Sequence, residues 1–164
     1  GGVVIEGAPP SVRRIDVIEL EPKVIDANRQ ISALRRRDPV NDPRVTVILN
    51  DARGALRLTD RRYDAIVSQP SHPWTAGASH LYTREFMRQV HGHLAPGGVF
   101  VQWMSAEFVD ESLLRALLAT VADVFAEVRA YTPSPTTLVL LASDAPVEPE
   151  RDLPAVRRTL DTLV

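Results

Sequence analysis

The feature that most constrains this chain is an alternation. Short runs rich in Val and Ile are each followed by a stretch with helical spacing. "RIDVIEL" (14–20), "RVTVILN" (44–50), "YDAIVSQ" (63–69) and "GVFVQWM" (98–104) read as buried strands. "PKVIDANRQISALRRR" (22–37), "ARGALRL" (52–58), "TREFMRQVHGHL" (83–94) and "DESLLRALLATVADVF" (110–125) read as helices. Pro22 falls in a first helical turn, Thr83 and Asp110 are N-caps, and "APGG" (95–98) terminates the third of these helices. Strands separated by helices are joined by crossovers and run parallel. "AEVRAYTPS" and "TTLVLLASD" have only a short turn with Pro135 between them, so they form an antiparallel hairpin. "GGVVIEG" is a short helical run, and "LPAVRRTLDTLV" (153–164) a weak terminal helix. The expected fold is α/β and Rossmann-like: an open, mostly parallel sheet with helices on both faces, ending in an antiparallel hairpin.

A chain of 164 residues gives one domain, 1–164, with a real core. A net charge of −2 supplies no basic field for nucleic acid. With no cysteine, disulfides, zinc ribbons and thiol nucleophiles drop out together. No apolar run approaches the ~18–20 residues that a membrane helix needs. The opening "GGVVIEGAPP" reads as the inside of a domain.

In open α/β sheets, ligands bind outside the C-terminal ends of the strands. Glu19, Asp51 and Gln69 stand at three successive strand ends. An acid at Glu19 can accept from both hydroxyls of a ribose; the alternative is a solvated strand-end acid. Asp51 can accept from an adenine amino group while the Ala52 N–H donates to the ring. Taken alone, Asp51 reads better as the N-cap of the helix that follows. Gly1 and Gly2 would let a cofactor approach the backbone, or are simply a flexible end. Gln69, Ser71, His72 and Trp74 line a Pro-rich loop that opens after the third strand. The histidines do not make a metal site: His91 and His93 are two apart on a helix and face different ways, and His72 and His80 lack partners at ligand spacing. Ser71 lies in no nucleophile-elbow pattern.

Three stretches resemble the spermidine synthase-like aminopropyltransferases, which share the class I methyltransferase fold: "GGVVIEGAPPSVRRIDVIELEP", "DPRVTVILNDARGAL" and "YDAIVSQPSHPWTAGASHLYTREFMRQVHGHLAPGGVFVQW". The resemblance implies an S-adenosyl-nucleotide-binding transferase domain. Glu19 would bind the ribose, Asp51 with Ala52 the adenine, and Gly1 and Gly2 would lie near the cofactor tail. The cofactor would be decarboxylated S-adenosylmethionine or S-adenosylmethionine, with no metal, and the partner a small-molecule amine. The fold's first strand would lie upstream, so the domain is expected to be N-terminally incomplete. A cytoplasmic location, a homodimer and membrane spans outside this chain are compatible with the resemblance.

The departures fall in the catalytic loop. Spermidine synthases read Asp-Ser-Ser-Asp-Pro where this chain has "QPSHP", so Gln69 and His72 occupy the two acid positions. Bacterial spermidine synthase-like domains read Ser-Glu-Pro-Ser-Asn-Pro-Trp, of which "SQPSHPW" is a variant. Gln102 matches a glutamine common after the family's next strand. Methyl transfer and a non-catalytic nucleotide-binding domain remain alternatives to aminopropyl transfer.

Overall fold

The computed structural model describes residues 2–34, 38–70, 74–75, 77–107 and 109–148. They fall into two compact units, one up to Thr59 and one from Asp60. The expected "LPAVRRTLDTLV" helix lies outside the described residues.

The first unit begins with helix α1 (Gly2–Glu6), then β1 (Ile15–Glu19), α2 (Pro22–Gln30), β2 (Val45–Leu49) and α3 (Ala52–Arg57). β1 and β2 pair parallel and in register, from Ile15 opposite Val45 to Glu19 opposite Leu49. Its buried apolar residues include Ile5, Ile25, Pro39, Ala55 and Leu56. The Arg44 guanidinium secures the entry to β2. It pairs with Asp42 and donates to the carbonyls of Pro9 and Val12, both at 3.1 Å.

α2 is shorter than its spacing predicts. It ends at Gln30, Ser32–Leu34 form a 3-10 turn, and residues 35–37 lie outside the described set. Ser32 Oγ donates back to the Arg29 carbonyl at 2.8 Å, a local bond that competes with the helix. Of the apolar positions that suggested a long helix, only Ile25 is buried, and Leu34 is 87% exposed. A last turn with no core contact has little to hold it, because most helical stability in proteins comes from packing.

The second unit contains β3 (Tyr63–Ser68), α4 (Arg84–His93), β4 (Leu94–Ser105), α5 (Glu111–Ala122), β5 (Glu127–Ser134) and β6 (Thr137–Ser143). The strand order is β3-β4-β6-β5, parallel between β3 and β4 and antiparallel thereafter. The expected hairpin is β5–β6. Thr83 and Asp110 cap α4 and α5 by accepting from Phe86 N at 3.3 Å and Leu113 N at 2.7 Å. Phe86, Met87 and Val90 of α4 are buried with Phe100 and Met104 of β4 and Leu140 and Ala142 of β6. Phe100 stacks on Phe125 at 5.9 Å between centroids, and Phe86 meets Phe100 edge-on at 6.5 Å. His91 lies edge-on to Phe125, and its Nε2 is 2.6 Å from an Asp144 carboxylate oxygen. That hydrogen bond holds the Asp144 carboxyl below its usual range. Arg62 donates to the carbonyls of Gly92 and Leu94 at the end of α4. No helix among the described residues is long and apolar enough to cross a membrane.

"APGG" is not an interruption before β4 but part of it. β4 starts at Leu94, and the register with β3 shifts between Tyr63 and Ala65. Gly97 adopts φ +75°, which suits a residue without Cβ. Gly98 is needed for a different reason. A Cβ there would lie 2.9 Å from the Ala95 carbonyl oxygen and 3.0 Å from that of Tyr63. Gly98→Ala should therefore destabilise the fold by about 1–3 kcal/mol, the usual cost of overpacking, measured by urea unfolding. An unchanged unfolding midpoint would contradict this close approach.

Candidate functional site

In the first unit, parallel pairing ends β1 and β2 on the same side. Glu19 is the last residue of β1, and Asp51 follows β2 by two residues. The Asn50 N–H donates to the Glu19 carbonyl at 3.1 Å, which ties the two strand ends together. Both carboxylates are partly engaged within the fold. Glu19 Oε1 accepts from Glu21 N at 3.0 Å, and Asp51 Oδ2 accepts from Gly54 N at 3.0 Å. Asp51 is thus the N-cap of α3, as its position alone suggested. A carboxylate has about four lone-pair sites, so one local bond leaves each acid able to accept from a ligand. Ala52 is the first residue of α3, where the N–H has no intrahelical acceptor.

Two residues that sequence reasoning passed over adjoin these polar strand ends. Leu20, directly after Glu19, is 70% exposed, and Leu49, directly before Asn50 and Asp51, is 58% exposed. Both leucines read as ordinary strand positions. The available signal was that each neighbours a polar strand end, beyond which a sheet has nothing to cover it. The exposed strand ends therefore combine hydrogen-bond acceptors with apolar surface.

In the second unit, β3 ends at Ser68 and Gln69 follows it, exposed. Trp74, farther along the loop, is 50% exposed. His72 and Ser71 lie outside the described residues, as does Gly1; Gly2 is buried at the start of α1. Tyr82 closes the 3-10 turn before α4, and burial pushes its phenol up to about 12, so it stays protonated at neutral pH.

Gln102 stands inside β4, opposite Ser68 in the ladder. It is 1% exposed; Nε2 donates to the Ser68 carbonyl at 3.4 Å and to the Trp103 carbonyl at 3.0 Å. Among the described residues, none donates to its buried Oε1. A glutamine in an otherwise apolar strand was the sequence signal for this residue. Among the described residues, no group of acids and histidines could hold a metal ion.

The cap at Asp51 is separable from any ligand role. Asp51→Ala should cost about 0.5–2 kcal/mol of stability, whereas Asp51→Asn, also a good N-cap, should cost much less. Urea unfolding of the two variants checks this; equal losses would show that the Gly54 N–H bond does not carry the cap.

Comparison with known proteins places these elements. A family model described as the spermine/spermidine synthase domain matches residues 8–142. A polyamine aminopropyltransferase from Nitrosomonas europaea is 33% identical over 122 residues, covering 74% of this chain and 37% of the relative. A putrescine N-methyltransferase from Nicotiana attenuata is 30% identical over 117 residues, covering 71% of this chain and 31% of the relative. The chain thus spans about a third of the length of these curated relatives. A crystal structure of spermidine synthase in complex with the transition-state analogue AdoDATO superposes with a TM-score of 0.77 at 24% identity, covering 93% of this chain and 54% of that one. The fold is accordingly the expected class I methyltransferase fold. The match over residues 8–142 spans most of the sequence, and the chain belongs to the spermine/spermidine synthase domain family.

Proposed function

We propose that this chain is the adenosyl-binding part of a transferase that moves an aminopropyl group from decarboxylated S-adenosylmethionine to a small amine. The observation that carries the reading is the end of the β1–β2 pair, where two acids adjoin two exposed leucines. An adenosine has the complementary face: ribose hydroxyls and an amino group that donate, on a flat ring that prefers apolar contact. Glu19 takes the ribose hydroxyls. Asp51 accepts from the adenine amino group, and the Ala52 N–H donates to the ring. Gly1 and Gly2 are assigned to the cofactor tail by the family resemblance.

In the reaction, an amine nitrogen attacks the carbon next to the sulfonium. The C–N bond forms, the C–S bond breaks, and its electron pair stays on sulfur, which leaves as a neutral thioether. The surplus proton on nitrogen passes to a base, for which His72 is the candidate because imidazole titrates near neutral pH. The donor supplies its own leaving group, so the protein's task is to position and deprotonate the amine. Gln69 can accept from the amine but cannot take its proton. The whole reaction is compatible with a cytoplasmic protein.

Methyl transfer from S-adenosylmethionine is the second reading. It is favoured by the putrescine N-methyltransferase relative and by the neutrality of Gln69. An acid near the tail attracts the amine of the decarboxylated donor and repels the carboxylate of S-adenosylmethionine. At an effective dielectric near 20, a like-charge pair ~4 Å apart costs on the order of 4 kcal/mol. Gln69 lacks that charge. Gln69→Glu, which nearly preserves side-chain volume, should therefore shift preference toward the decarboxylated form. Water in an open site reduces the effect to about tenfold, or about 1.4 kcal/mol. Competition binding of both donors to parent and variant reads this directly. A flat preference, or one moving toward S-adenosylmethionine, would withdraw Gln69 from the cofactor tail.

A further inference from the structure

Gln102 is an odd residue to bury. It lies within β4 with 1% exposure, and no described residue donates to its Oε1. A methionine or leucine there would fill the volume without stranding an acceptor. What those side chains could not do is donate. The amide's orientation follows from its partners: Nε2 faces two carbonyl oxygens, of Ser68 at 3.4 Å and Trp103 at 3.0 Å, and the flipped amide would set oxygen against oxygen.

The Ser68 carbonyl belongs to the last residue of β3, which is itself buried and pairs with Gln102 in the ladder. That carbonyl stands where β3 gives way to the loop. Here a side chain from the neighbouring strand takes it. The same carbonyl is half of the peptide unit that leads to Gln69. Because a peptide unit is planar, fixing its oxygen fixes the direction in which the next residue leaves.

We propose that Gln102 is a positioning residue for Gln69: by holding the Ser68 carbonyl it sets the exit of the loop from β3, and so the place of the side chain at position 69. The inference rests on the reading of Gln69 as facing the cofactor tail. It assigns to the donor end of Gln102 a task separate from whatever its free oxygen meets.

The test is a double-mutant cycle in the complete protein, using Gln69→Glu and Gln102→Met, a substitution close in length with no amide. Competition binding gives the preference for decarboxylated S-adenosylmethionine over S-adenosylmethionine in all four proteins. 5′-Methylthioadenosine, which lacks the tail, reports the rest of the site. In the parent background Gln69→Glu should shift preference about tenfold, and with Gln102→Met the shift should fall to roughly threefold or less. Affinity for 5′-methylthioadenosine should stay within about twofold, which general loosening of the fold would not allow. A full shift persisting in the Gln102→Met background overturns this inference alone. No shift in the parent background overturns the reading of Gln69 and this inference with it. If Gln102→Met does not fold, Gln102→Asn serves in its place: it keeps the amide but withdraws it by one methylene from the Ser68 carbonyl, and it should reduce the shift in the same way.

Discussion

In-register parallel pairing is the constraint on which the functional reading depends. β1 and β2 pair from Ile15–Val45 to Glu19–Leu49, so both strands end together. The Asn50 N–H closes the pair on the Glu19 carbonyl, and Asp51 then starts α3. A slip of one residue would turn every side chain of a strand to the other face and separate the two acids. β3 and β4 repeat the logic within the second unit, where Ser68 stands opposite Gln102. Ladder register thus converts sequence position into the placement of acceptors.

Local stability devices serve the same ends. Asp51 caps α3 with one oxygen, so the acid proposed for adenine is held by the helix that it starts. Glu19 is braced by the Glu21 N–H, and Glu21 in turn caps α2 by accepting from Lys23 N. These bonds limit the freedom of both carboxylates before any ligand arrives, which lowers the ordering cost of binding.

Much of this was legible in the sequence. The strand runs and their polar ends, the hairpin around Pro135, and the caps at Thr83 and Asp110 are local signals, written within a few residues. What escaped depends on contacts between distant residues. The spacing of Ile31 and Leu34 promised a longer α2, but nothing in a single sequence says that Leu34 would find no core. Leu20 and Leu49 looked like strand residues because exposure depends on what covers a strand end. Gln102 was placed by family likeness, whereas its bond to Ser68 appears only once β4 is set beside β3.

In the proposed reading, Gln69 bears on which donor is used, and Glu19 bears on whether an adenosyl group is bound at all. The most direct measurement is calorimetry of 5′-methylthioadenosine with the complete protein and its Glu19→Gln variant. This ligand carries the adenosine common to both donors and is indifferent to the tail. The account predicts a loss of about 1.5–3 kcal/mol, the scale of hydrogen bonds to a charged group. Unchanged affinity in a variant that folds as the parent does would contradict it.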